Sequence, residues 1–141
     1  MNRMSEGCVF CKIVRKAVPA SIIYEDDAVL AFLDIRPLSK GHTLIIPKAH
    51  YETIFDIPEE LLAKVHKVAK HVAAAVKKST KADGISIIQQ NGRAANQDIF
   101  HLHVHVIPQF EGQRLPHFSR TVNSSREQLD QVAAQIKKEL S

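Results

Sequence analysis

Three histidines at every second position, His101, His103 and His105, stand in the apolar run IFHLHVHVIP at residues 99–108. No other stretch restricts the folding of this chain as tightly. Successive side chains of a strand point to opposite faces. A strand over 99–108 therefore puts the three imidazoles on one face, each about 6–7 Å from the next. Leu102, Val104 and Val106 take the other face, against a helix. Each imidazole brings two ring nitrogens that need partners, so three on one face point to chemistry more than to chance burial. Two chemistries suit them. A His-x-His pair can bind zinc, with the third histidine completing the site. Alternatively the middle imidazole is a nucleophile oriented by its neighbours, because its neutral nitrogen is available near pH 7 and its phosphoryl adduct is labile.

The surrounding pattern predicts an α+β fold. Strands are expected over 21–24, 29–34, 42–47 and 84–91, with the Glu25-Asp26-Asp27 cluster as a turn and RPLSKG, 36–41, as a loop. Leu61, Leu62, Val65, Val68, Val72 and Val76 recur at helical spacing and predict a long helix over 58–78. Residues 8–16 suit one or two helical turns. Ser124 followed by Glu127 reads as a capping box for a last helix with an apolar stripe of Leu129, Val132, Ala133, Ile136 and Leu140. Adjacent strands favour antiparallel hairpins. A chain of 141 residues fits one domain, with a core over 7–110 and a C-terminal loop and helix over 111–141. No window approaches the ~18 apolar residues of a membrane span, and the polar start MNRMSEG shows no signal peptide. A cytoplasmic protein without membrane partners is expected. Two cysteines in that setting are poor evidence for a disulfide. The net charge of +4 is too scattered to predict nucleic-acid binding.

Several motifs together resemble the histidine triad (HIT) family: HLHVHVIP at 101–108, CVFCKI near the start, FLDIRPLSKGHTLIIPKAH at 32–50 and NGRAANQDIFH at 91–101. They look most like its nucleotide-binding branch, over roughly residues 7–110. The resemblance implies a HIT-like fold, a mainly antiparallel five-stranded sheet with a long helix and a C-terminal helix, in a homodimer. It implies action at the α-phosphate of a purine nucleotide, either a phosphoramidate or a dinucleoside polyphosphate. In that reading His103 attacks phosphorus and forms a nucleotidyl-histidine, and water then releases the nucleoside monophosphate. His105 contacts the phosphate, His101 supports the geometry, and His42 helps set the protonation of the nucleophile. Asp34 matches the ribose-binding acid, Asn91 a phosphate-side amide, and Gln97 the glutamine just before the triad. Phe10, Ile13, Ile35 and Leu44 are candidates for a base pocket, with simple core roles as the plainer reading.

Asp98 departs from the pattern, since many family members carry Ser or Thr there to donate to the leaving group. A carboxylate beside a phosphate is repelled unless it is protonated, paired or turned away. Asp98 is expected either to act as a protonated donor or to shift the leaving-group preference. Cys8-x-x-Cys11 has the spacing of half a tetrahedral metal site, though a redox pair or two buried thiols share that spacing. The resemblance implies a structural zinc on Cys8, Cys11, His50 and His101, and no catalytic metal. His66 and His71 fall on the long helix as solvated or packed residues, and His117 in an irregular loop carries no role. Two further readings stand beside the leading one. A zinc hydrolase using the triad as ligands would lose activity to a chelator. A regulatory module would bind nucleotide without turnover.

Overall fold

The computed structural model describes residues 3–115 and 121–140; His117 lies outside them. In chain order the elements are α1 (Val9–Val14), β1 (Ile22–Glu25), β2 (Val29–Leu33), β3 (Thr43–Pro47), α2 (Glu59–Thr80), β4 (Gly84–Gln89), β5 (Val104–Gln109) and α3 (Arg126–Glu139). The five strands form one antiparallel sheet in the order β1-β2-β3-β5-β4.

Strand alternation divides the core into two layers. Ala31, Leu33, Ile45, Val104 and Val106 face α2 and α3, where Val65, Val72, Val76, Val132 and Ile136 meet them. Leu30, Phe32, Leu44 and Ile46 face the other way, against Phe10 and Ile13 of α1. His105 pairs with Leu44 across β5 and β3, so the histidines share the thinner α1 side of the sheet.

The predicted strand over 99–108 is shorter and later than expected, Val104–Gln109. Its β3 neighbour ends at Pro47, which has no N–H to continue the ladder. Residues before Val104 find other partners: the Leu102 amide donates to the Tyr51 carbonyl at 2.7 Å. The alternation nevertheless persists, with Leu102 buried in the helix-side layer. The cap of α3 sits one residue beyond its predicted place. Ser125 accepts from the Gln128 amide, and the Gln128 side chain accepts from the Ser125 amide; a carboxamide serves as well as the Glu127 carboxylate in that reciprocal pair. Pro58 caps α2 from outside, where its missing N–H costs nothing. His66 and His71 are exposed on α2.

Candidate active site and metal-ligand cluster

His103 is 4 % exposed, and its Nδ1 lies 2.7 Å from the His101 carbonyl oxygen. A carbonyl only accepts, so Nδ1 carries the proton and Nε2 carries the lone pair. Nε2 lies toward Asp98, whose Oδ1 is 3.9 Å away. Both residues line an open pocket of about 220 Å³. The Phe10 ring meets His103 edge-on at 5.2 Å and holds it in place. Burial pushes the His103 pKa below the usual imidazole value, against smaller opposing effects from the His101 carbonyl and Asp98. The ring is thus neutral near pH 7.

A second chain of contacts fixes His105. The Leu38 amide donates to His42 Nδ1 at 3.0 Å. His42 Nε2 must then hold the proton of the neutral ring, and it donates to His105 Nδ1 at 2.9 Å. His105 in turn presents Nε2–H. Desolvation lowers His42 to about 3 and His105 to about 4, with neighbouring histidines adding to the effect. His42 thus contacts His105 rather than the nucleophile candidate itself. Asp34 lies beside this pair, with Oδ2 3.6 Å from His42 Nε2 and Oδ1 accepting from the Arg36 amide at 2.9 Å. Burial raises its pKa to about 6, and the Asp98 charge adds to the rise while Arg36 opposes it.

Asp34, His42, Asp98, His103 and His105 all line the pocket, as do Phe10, Ile13, Ile35 and Leu44. Phe10, Ile13 and Leu44 belong to the α1-side core as well, whereas Ile35 is 58 % exposed. Asn91 and Gln97 are not brought to the pocket. The Asn91 carboxamide accepts from the Ile54 amide and exchanges bonds with Gln89. The buried Gln97 side chain accepts from the Gly92 amide and donates to the Glu52 and Ile99 carbonyls, which pins the loop before the triad. Gln90 and Asn96 line the pocket in their place. Strand parity carries the signal for Gln90. Ile88 stands opposite His105 in the β4–β5 register, so Gln90, two residues on, shares the histidine face and Asn91 does not.

Behind the triad, Cys8, Cys11, His50 and His101 bring one ligand atom each within 4.8 Å of all the others. Cys8 sits at the N-cap of α1, which places Cys11 one turn later on the same side. The Nδ1 atoms of His50 and His101 are 3.2 Å apart. The Cys8–His101, Cys11–His50 and Cys11–His101 separations are 3.4, 3.4 and 3.6 Å. Tetrahedral zinc with ordinary bond lengths requires about 3.3 Å between two nitrogens and about 3.6 Å between nitrogen and sulfur. The set fits such an ion in both spacing and donor chemistry. His101 Nε2 lies 2.8 Å from the Pro47 carbonyl, so Nε2 carries the proton and Nδ1 is left as a lone pair toward the sulfurs. Burial pushes the Cys8 thiol above its ordinary pKa; the Cys11 amide opposes the rise and the Cys11 side chain adds to it. A bound dication would reverse that preference. Among the described residues, His101, His103 and His105 do not gather their nitrogens into one ligand set. His42 and His105, with Asp34, do lie close, but the proton on His42 Nε2 closes that nitrogen to a metal.

The HIT domain family matches residues 15–112. A HIT-like protein of Methanocaldococcus jannaschii is 43% identical over 131 residues, 92% of this chain and 98% of its own. An adenylylsulfatase of Arabidopsis thaliana is 40% identical over 135 residues, 96% of this chain and 68% of its own. An adenosine 5′-monophosphoramidase of Saccharomyces cerevisiae is 40% identical over 105 residues, 74% of this chain and 64% of its own. Among solved structures, a HIT-like protein of Bartonella henselae superimposes with a TM-score of 0.88 at 38% identity, covering 96% of this chain and 98% of that one. A zinc-bound histidine triad protein of Mycobacterium smegmatis superimposes at 0.85 and 38% identity, covering 95% and 93%.

Proposed function

Because this chain belongs to the HIT family, we propose that it is a nucleotide hydrolase acting at the α-phosphate of a purine nucleotide, with His103 as nucleophile. One observation carries the reading: the bond from His103 Nδ1 to the His101 carbonyl leaves Nε2 as a fixed lone pair at the pocket. Attack by Nε2 forms a nitrogen–phosphorus bond as the bond to the leaving group breaks. Water then attacks the same phosphorus, releases the nucleoside monophosphate and restores the neutral ring. His105 Nε2–H is oriented by His42 to donate to a phosphate oxygen as charge builds. Asp34 accepts from the ribose hydroxyls, and Phe10, Ile13, Ile35 and Leu44 enclose the base. The names of the Arabidopsis and yeast relatives support cleavage at an adenylyl phosphorus.

Structural zinc on Cys8, Cys11, His50 and His101 completes the reading, supported by their spacing and by the zinc-bound relative. Held by these four residues, an ion would tie the start of α1 to the segments after β3 and before β5. His103 and His105 lie outside that set, which favours protein nucleophile chemistry over a zinc-activated water at the triad. The protein acts as one domain in the cytoplasm, where both free thiols stay reduced. Strand β4 lies at one edge of the sheet with Ile87 exposed, which supports pairing of two copies. Light scattering should then give twice the 15.8 kDa chain mass.

The deciding experiment mixes the protein with adenosine phosphoramidate and with a diadenosine polyphosphate, quenches early, and maps adenylate by mass spectrometry. An adduct on His103, absent in His103→Ala together with a loss of turnover on the order of 10⁴-fold, is expected. No adduct and no turnover with either substrate removes the proposal. Zinc below a tenth of an equivalent in protein purified without chelator removes the metal assignment.

A further inference from the structure

The catalytic corner of the pocket has an unusual charge for a site that is to receive a phosphate. Two carboxylates, Asp34 and Asp98, line it, and among the described residues Arg36 is the one lysine or arginine in its wall. His42, His103 and His105 are buried there. Asp98 is the acid nearest the reacting atom, 3.9 Å from His103 Nε2. Among the described residues it has no lysine or arginine within ion-pair distance. Its side chain is 79 % exposed, so it stands where the pocket opens to solvent. The Gln97 bonds to Gly92, Glu52 and Ile99 anchor the backbone on either side of it. Asp98 is thus a charge on a fixed loop beside the nucleophile.

In-line attack brings phosphorus to about 3–3.5 Å from Nε2. That approach places substituents of the phosphorus within reach of Asp98. What the carboxylate does next depends on the group that departs. A carboxylate only accepts hydrogen bonds. An amine leaving group offers N–H donors, and the bond to an ionised acceptor is of the stronger kind. A sulfate or phosphate leaving group gathers negative charge next to a carboxylate that no lysine or arginine neutralises among the described residues.

We propose that Asp98 selects the leaving group, favouring nucleoside phosphoramidates of amines over substrates that expel an anion. This inference rests on the hydrolase reading above and sharpens its substrate class. In the first half-reaction the phosphorus–nitrogen bond breaks, and its electron pair stays on nitrogen. That nitrogen takes up one proton from solvent at the pocket mouth and leaves as the amine, hydrogen-bonded to Asp98. In the second half-reaction water attacks the nucleotidyl-histidine and one proton returns to solvent, so the sum is phosphoramidate plus water giving nucleoside monophosphate plus amine.

The test compares two substrates that share the adenylyl group, an adenosine phosphoramidate of a primary amine and adenosine 5′-phosphosulfate. Values of kcat/KM are measured for the full chain, Asp98→Asn and Asp98→Ser, with thermal melts to confirm folding and calorimetry to give AMP affinity. The ratio of phosphoramidate to phosphosulfate activity should fall at least ~10-fold in both variants, a change of about 1.4 kcal/mol in relative transition-state stabilisation. AMP affinity should hold or rise in both variants, since loss of the Asp98 charge relieves its repulsion of the AMP phosphate, whereas a loop collapse would weaken AMP. Asp98→Glu should retain most of the preference. A ratio unchanged within about twofold, in variants that fold and turn over both substrates, overturns the role of Asp98 and leaves the His103 reading standing. A wild-type chain that cleaves neither substrate and forms no adduct overturns both.

Discussion

At the scale of single residues, the site depends on which ring nitrogen holds each proton, and acid tests that arrangement directly. Desolvation lowers His42 to about 3 and His105 to about 4 from an ordinary 6.5. The unfolded chain binds protons on these two residues below pH 6.5 while the folded chain does not. Their contribution to stability is therefore full above pH 6.5 and is lost as pH falls toward 4 and 3. Asp34, raised to about 6 from 3.8, acts the other way between those values, but one carboxylate offsets only one of the two histidines. Thermal melts from pH 7.5 to 4 should show a net loss of a few kcal/mol, on the order of 1.4 per unit of unbalanced shift. A melting temperature that stays level down to pH 4 contradicts the lowered pKa values of these two rings. A second prediction separates two adjacent amides. Gln90→Ala should raise KM for a nucleotide substrate about tenfold, the cost of roughly one hydrogen bond. Asn91→Ala should instead lower stability by about 1–2 kcal/mol through the lost Ile54 and Gln89 bonds; the reverse pattern in steady-state kinetics and urea melts would refute the placement. The triad was legible in the sequence because its spacing is local. The facing of Asn91 was not, because it depends on how β4 registers against β5.

At the scale of elements, α2 and the apolar half of each strand could be read from periodicity, since a stripe of valines has one way to be buried. The start of β5 could not, because β3 runs out at Pro47, far away in sequence and beside His101 in space. The loop between β2 and β3 is constrained from outside in the same way. Gly41 adopts φ +100°, and a Cβ there would stand 2.8 Å from Thr80 Cγ2 at the end of α2, with the Pro108 ring close by. Both the positive φ and the close approach require glycine. Gly41→Ala should cost about 1–3 kcal/mol in urea denaturation. Because His42 follows directly, activity should fall by more than stability alone explains. An alanine variant as stable and active as the parent would show that this loop is looser than drawn.

At the scale of the whole molecule, the two candidate centres meet in one residue. The His101 side chain points to Cys8, Cys11 and His50, while its carbonyl accepts from His103. For the zinc-bound protein proposed above, a chelator should lower the melting temperature by several degrees, because binding energy at such a site is folding energy. It should also slow adduct formation on His103; a melt and a rate both indifferent to chelator would argue that the cluster is four unconnected side chains. Among the described residues no helix is long and apolar enough to cross a membrane. The line from Leu38 through His42 to His105 has a consequence of its own. It begins at a backbone amide, which cannot surrender its hydrogen at ordinary pH. The line is therefore a blind alley for proton traffic: it points a dipole at the substrate and conducts nothing. In the proposed turnover, the pocket mouth where Asp98 is exposed is then the route left for protons among the described residues. The rate should accordingly respond to buffer concentration and to solvent viscosity at that mouth, and be indifferent to changes on the far side of the sheet that leave the fold intact.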